Sequence, residues 1–268
     1  MRRTVLFIVF LSLLLTKIKA QEIEGGAPAE PENRMELNKI KFGAFVAPNI
    51  SWMHPTASKS DNGQYFVTQK GGKAGFTWGL MAEYMFTENY GFATGFDLNT
   101  TGGRIATVIN PNIANQLAPN TVLNTDFRYD YQLLEIPAAL KLRSDPLTDG
   151  GLRIVGEIGL TLCINIGRKV SYDVTYNNEQ GKEMTISGDN EKLQGTLAVP
   201  PVMLQMNLGA GVEIPITEKM SFYTSLFFNN GFLPDATNPE NYTIGYKGTF
   251  TDGTIRLNNF GLRLGLFF

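Results

Sequence analysis

The stretch GFTWGLMAEYMFTENYGFATGFDLN, Gly75 to Asn99, decides how the rest of the chain is read. Phe76, Trp78, Leu80, Ala82, Tyr84 and Phe86 share one face, while Gly75, Thr77, Gly79, Met81, Glu83 and Met85 share the other. A period of two is that of a β-strand, whose successive side chains point to opposite faces. Thr87-Glu88-Asn89 then reads as a tight turn. Beyond it Tyr90, Phe92, Thr94, Phe96 and Leu98 oppose Gly91, Ala93, Gly95, Asp97 and Asn99. The pair predicts two antiparallel strands with one greasy face and one small, polar or charged face.

Six more segments repeat the pattern. A first strand spans Lys39–Ala47, with Ile40, Phe42, Ala44 and Val46 aligned. A fourth, Tyr129–Arg143, aligns Leu134, Ile136, Ala138, Leu140 and Leu142. A fifth, Leu152–Ile166, carries Ile or Leu at seven alternate positions with one interruption, Gly156. The sixth, Val202–Ile214, opposes Leu204, Met206, Leu208, Ala210 and Val212 to Gln205, Asn207, Gly209, Gly211 and Glu213. Ser221–Asn230 and Thr254–Phe268 complete the set, the last with Phe260, Leu262, Leu264, Leu266 and Phe268 in line.

The connections fix the arrangement. Thr87–Asn89, Ser144–Gly151 and Pro215–Met220 are short links, whereas the other four connections run to about 22 to 35 residues rich in Asn, Gly, Thr, Ser and Lys. All short links fall at one end and all long ones at the other, the asymmetry of outer-membrane barrels. The expected fold is therefore all-β: a closed, eight-stranded antiparallel transmembrane β-barrel, an up-and-down meander with four long extracellular loops and both termini periplasmic. Alternation alone also fits a soluble calycin-like barrel. That alternative would expose the polar face, with Lys41, Glu83, Asp97, Glu135, Lys141, Arg153, Glu157, Glu213 and Arg263, to water. In lipid the faces invert, and four bases and five acids are expected to neutralise one another as an ion-pair network in the lumen. Gly79, Gly91, Gly95, Gly209, Gly211, Gly261 and Gly265 on that face suit a crowded interior.

The ends of the chain agree with export. Arg2 and Arg3 precede an apolar run from Val5 to Leu15, and Ala20 offers a small residue before Gln21, so residues 1–20 read as a signal peptide. The run is too short for a membrane helix, which needs about 20 apolar residues. No cysteine follows the cleavage point, so lipidation is not expected, and Cys163 alone supports neither a disulfide framework nor a metal site. Cleavage removes four of the 23 basic residues and none of the 25 acidic ones, leaving a net charge of −6. No clustered basic face points to a nucleic-acid partner. Residues 21–36, rich in Glu, Pro and Gly, read as a flexible acidic lead-in, and residues 37–268 as one barrel domain.

The fourth strand, YDYQLLEIPAALKL (Tyr129–Leu142), resembles a segment of the PorT-like outer-membrane barrel domains of Bacteroidota: an aromatic, Leu, Glu, Ile, Pro, a short apolar stretch, then Lys. Here Leu133 or Leu134 stands where an aromatic is often found. The resemblance covers about residues 37–268 and implies the fold. Some relatives serve the type IX secretion and gliding machinery, which implies an accessory or docking role in the envelope. It carries across no catalytic residues. Pro137 lacks an N–H and the doubled Leu133-Leu134 interrupts the alternation, so a β-bulge is expected here, with a docking kink as the sharper reading. The carboxyl end, NNFGLRLGLFF, resembles the last strand that barrel-assembly machinery recognises.

Function is less legible. No GxGxxG, P-loop or metal-spaced His/Cys/Asp cluster occurs, so no cofactor is implied. The one histidine, His54, lies near Ser51, Ser58, Ser60 and Asp61, the residue types of a lipid-modifying hydrolase, though these are also ordinary loop composition. Eight strands leave an interior just filled by side chains, a plug, against which a narrow ion path is the alternative. The long connections, with Tyr65, Phe66, Tyr172, Tyr176, Tyr242, Tyr246 and Phe250, offer a surface for an adhesion or assembly partner, or merely a solvated cover. The expected protein is a monomeric, non-enzymatic barrel in outer-membrane lipid.

Overall fold

A computed structural model describes residues 40–56, 63–112, 119, 121–192, 201–217, 219–231 and 255–268. The expected signal peptide and lead-in lie outside the described residues. Among the described residues nine strands form: β1 (Ile40–Pro55), β2 (Tyr65–Met85), β3 (Tyr90–Ile109), β4 (Val122–Arg143), β5 (Arg153–Asn177), β6 (Glu183–Lys192), β7 (Val202–Pro215), β8 (Ser221–Gly231) and β9 (Ile255–Phe267). Eight of them close a ring of antiparallel neighbours, β1-β2-β3-β4-β5-β7-β8-β9, and β1 pairs with β9 to seal it. The barrel is the expected one. The ninth strand, β6, is an addition: it pairs with the far half of β5 and stands outside the ring.

The three short turns sit together, and two of them reuse one sequence device. In Thr87-Glu88-Asn89-Tyr90 the Thr87 hydroxyl accepts from the Asn89 and Tyr90 amides, at 3.3 and 3.1 Å. In Thr217-Glu218-Lys219-Met220 the Thr217 hydroxyl accepts from the Lys219 and Met220 amides, at 3.3 and 3.1 Å. A hydroxyl that satisfies two amides stabilises the turn locally. The Phe268 amide donates to the Phe42 carbonyl at 2.8 Å, so the last residue closes the ring at this same end.

The greasy faces point outward. Phe76, Phe92 and Leu262 are exposed on the outer wall, as are Phe42, Leu80, Phe96, Ile158 and Leu226. On β4 the outward positions Leu142, Leu140, Ala138, Ile136 and Leu134 are apolar, and Gln132 and Asp130 follow. About ten residues, at ~3.4 Å each and a tilt of about 40°, make the apolar belt roughly 25 Å tall.

Beyond the belt the strands run on, through segments whose composition reads as loop. β2 begins at Tyr65 instead of Gly75, β3 continues to Ile109, β4 begins at Val122 and β5 continues to Asn177. Here the pattern is reversed. Val67, Ile105, Phe127, Tyr129, Tyr131, Val170, Tyr172 and Val174 are buried inside, while Arg104, Asp126, Arg128 and Asp173 face out. Water replaces lipid as the outer solvent, so apolar side chains turn inward. Tyr65 and Tyr172 are therefore core residues, not loop surface, and Phe66 and Tyr176 lie on strands. Tyr242, Tyr246 and Phe250 lie outside the described residues.

The expected bulge is displaced. β4 keeps its alternation through Leu133 and Leu134, one buried and one half-buried, and Pro137 stays in register opposite Thr161. The extra residue is Ile166 on β5, between the pairs Leu133↔Asn165 and Gln132↔Gly167. Pro137 cannot donate to the ladder, and its carbonyl accepts a bond from the Thr94 hydroxyl at 2.7 Å.

Candidate functional site

The barrel interior is layered, and each layer follows from the residues that alternation sends inward. Nearest the short turns lies an ion cluster. Lys141, fully buried, bonds Glu83 and lies 3.7 Å from Glu213. Its ammonium sits over the Tyr223 and Phe267 rings, 4.7 Å from each centroid. Glu213 is the hub: Lys41 donates at 2.7 Å, Arg143 at 3.3 Å and the Ser221 hydroxyl at 2.9 Å. A buried carboxylate with three cationic neighbours is compensated in charge and in hydrogen bonds, the condition under which such groups persist.

A second cluster follows. Arg263 bonds Glu157 at 3.0 Å, and the Tyr223 hydroxyl donates to the same carboxylate at 2.9 Å. The Arg263 guanidinium stacks between Phe45 and Phe227, 4.8 and 5.3 Å from the ring centroids. Small residues make room. A Cβ on Gly265 would meet Met81 at 2.7 Å and Phe45 at 3.1 Å, and one on Gly79 would meet the Phe96 carbonyl and Asp97.

The nine ionisable residues do not form one network. Lys41, Glu83, Lys141 and Glu213 meet in the first cluster, and Glu157 and Arg263 in the second. Arg153 stays at the turn end, donating to the Ser144 carbonyl at 3.2 Å, and Arg143 takes the basic position beside Glu213 instead. Asp97 and Glu135 are buried without a salt bridge among the described residues. Glu135 instead accepts from the Asn99 amide at 2.8 Å, with the Cys163 thiol 3.9 Å away. The departure has a physical cause. Alternation places a residue on a face but not at a height, and charges several residues apart along the lumen do not meet. Arg143 was findable, one step beyond Lys141 on the same face.

Above the charges comes a layer of amides and hydroxyls. Asn49 donates to Thr77 at 2.9 Å and to Asn99 at 3.3 Å, and Asn207 donates to Asn229 at 2.6 Å. Higher still the interior is apolar and fully buried: Met53, Ile105, Phe127, Leu133, Met203, Ile255 and Leu257 pack with the tyrosines named above. Burial, then the Glu191 carboxylate 3.5 Å away, raises the Tyr172 phenol above its ordinary value. The void between the charge clusters holds only about 20 Å³, lined by Phe45, Met81, Asp97 and Arg263 among others. That is room for one water, and the layer above it is the buried apolar cluster. Among the described residues the interior is filled by side chains.

The hydrolase-like residue set does not assemble on β1. Ser51 is buried inside, accepting from the Gly102 amide at 3.0 Å and donating to the Lys73 carbonyl at 3.3 Å, whereas His54 is exposed on the other face. Ser58, Ser60 and Asp61 lie outside the described residues. Among the described residues no group of His, Cys, Asp or Glu is placed to hold a metal ion.

No family model and no curated protein matches the chain. Among solved structures it is similar to Neisserial surface protein A, at 12% identity over 85% of this chain and 96% of that one, with a TM-score of 0.39. The attachment invasion locus protein of Yersinia pestis matches at 12% identity over 85% and 99%, with a TM-score of 0.33. The outer membrane protein OprG of Pseudomonas aeruginosa matches at 12% identity over 85% and 94%, with a TM-score of 0.35. These are likenesses of outline, and the fold rests on the strand ladder itself.

Proposed function

We propose that the chain is a non-enzymatic β-barrel of a Gram-negative outer membrane, inserted by the barrel-assembly machinery, which displays a rigid sheet beyond the membrane and docks other envelope proteins. One observation carries the membrane placement: a closed ring with an apolar belt outside and paired charges inside. In water such a molecule would expose a continuous greasy girdle and bury its ions, while lipid reverses both costs. In this reading the short turns lie on the periplasmic side and the extended strands outside, which the loop asymmetry supports.

The docking role is supported by the part of the molecule that membrane residence does not require. The walls of β3, β4 and β5 continue about ten residues past the belt, with their own apolar core inside and β6 widening the sheet. A rigid, water-facing platform of this kind is a scaffold for recognition. The likeness of Tyr129–Leu142 to PorT-like barrels makes secretion components the first partners to seek. The test is affinity capture of a tagged copy from detergent-solubilised envelopes. Reproducible co-purification of secretion components, lost when residues 183–192 are replaced by a short Gly-Ser turn, supports the reading. Recovery of the mature protein from aqueous extracts without detergent would overturn it.

A further inference from the structure

Two irregularities of the barrel wall meet at the upper edge of the apolar belt. On β5 the extra residue Ile166, followed by Gly167, interrupts the register with β4. On β2 the ladder to β3 lapses between Gly71↔Arg104 and Phe76↔Thr100, and the Lys73 side chain emerges there. It donates to the Thr101 carbonyl at 3.3 Å and pairs with Asp130 on the outer face of β4. The two departures leave adjoining hollows in the wall. The upper, about 470 Å³, is lined by Lys73, Asp130, Lys169 and Lys192 with Gln132 and Asn190. The lower, about 190 Å³, is lined by Trp78, Leu98, Leu133 and Ile166. Thr100 and Gln132 border both, so the two hollows are neighbours in the wall.

The charge of the upper hollow is out of balance. Higher on the wall Arg104 holds Asp126 through two bonds of 2.5 and 2.6 Å, and Arg128 lies 3.5 Å from Asp173. In the first row above the belt Lys73, Lys169 and Lys192, together with Arg168, which has an interaction of its own, line the hollow beside Asp130, the one carboxylate among its described lining residues. Lys169 stands opposite Asp130 in the β4–β5 register and opposite Lys192 in the β5–β6 register. Like charges facing each other across an antiparallel pair destabilise the sheet unless an anion lies between them. The row also sits one belt height from the turn end, the level of lipid headgroups.

We infer that this site binds a phosphorylated membrane lipid, its phosphate held by Lys73, Lys169 and Lys192 and one acyl chain laid in the slot beside Trp78, Leu98 and Ile166. A free phosphate would satisfy the lysines but would leave the apolar slot open at belt height. A lipid of the leaflet on the extended-strand side satisfies both. Lysine is a point charge with rotatable donors, suited to a phosphate that arrives in more than one orientation. The inference rests on the membrane placement proposed above, and its test keeps the two apart.

The mature protein is folded into phosphatidylcholine vesicles, extracted in mild detergent and titrated with bis-phosphorylated lipid A, with dephosphorylated lipid A or with inorganic phosphate, and retention is read by native mass spectrometry. One lipid A is expected to remain per barrel. Retention should fall by at least about tenfold for the dephosphorylated lipid and for Lys169→Gln/Lys192→Gln. Lys219→Gln, at the opposite end of the barrel, should leave it unchanged, and millimolar inorganic phosphate should not displace the lipid. Equal retention by the lysine double variant or by the dephosphorylated lipid overturns the site. Displacement by inorganic phosphate alone makes it an anion site and overturns the lipid. Failure to insert into vesicles at all would sink the membrane reading, and this site with it.

Discussion

Replacing Lys141 by methionine tests the interior directly. The ammonium is fully buried and is the one basic partner of Glu83 among the described residues, whereas Glu213 keeps Lys41 and Arg143. The variant therefore orphans one buried carboxylate. Methionine keeps most of the contact with the Tyr223 and Phe267 rings. Removing one member of a buried ion pair costs about 3–5 kcal/mol, because the survivor stays desolvated and uncompensated. A loss of about 4 kcal/mol raises the unfolding constant by roughly a thousandfold. Replacing both partners with apolar residues removes the orphan, so Lys141→Met/Glu83→Leu should lie within about 1 kcal/mol of the parent protein. The assay is urea unfolding in phospholipid vesicles followed by tryptophan fluorescence, since Trp78 stands on the outer wall and reports loss of lipid contact. A single variant within about 1 kcal/mol of the parent, or a double variant no better than the single, would refute the argument that the charges are held as a compensated cluster.

Leu80→Arg, in the middle of the belt, should cost about 2–4 kcal/mol in the same unfolding assay, whereas Val108→Arg, outward on the extended part of β3, should stay within about 0.5 kcal/mol. Equal costs would deny that the wall crosses from lipid to water between them. Phe127→Ala, in the apolar core above the belt, should cost about 3–5 kcal/mol and speed hydrogen exchange on β3, β4 and β5 beyond Thr101, Gln132 and Gly167 while the belt segments stay protected. Uniform loss of protection along those strands would show that the two halves unfold as one. In planar bilayers the protein should give no discrete conductance steps, given the ~20 Å³ void and the buried apolar layer above it. Reproducible unitary currents would mean that the plug opens.

The belt-level fold was open to reading because its signal is local. Leu134 to Leu142 and Phe76 to Tyr84 each announce one greasy face, and a period of two needs no knowledge of neighbours. The closed ring follows from the strand count and from short links confined to one end. The upper halves of the strands were hidden by the same physics. From Phe127 to Tyr131, and from Val170 to Val174, apolar residues still alternate, but with water outside they point the other way. Beside Asn, Thr, Asp and Lys the alternation reads as loop composition. The sequence by itself thus determined the strands that cross the belt, the face each turns to lipid, and which side chains enter the lumen at belt level.

Only the tertiary structure decided how those side chains meet. Register sets the height of each residue inside the cylinder, so Glu213 collects Lys41, Lys141 and Arg143 from strands far apart in the chain, while Asp97 and Glu135 form no salt bridge among the described residues. It also decided that Ile166 is the bulged residue and that Lys169 faces Lys192. Those are pairings between strands, and ladder register is a property of two segments at once, which no single run of residues encodes.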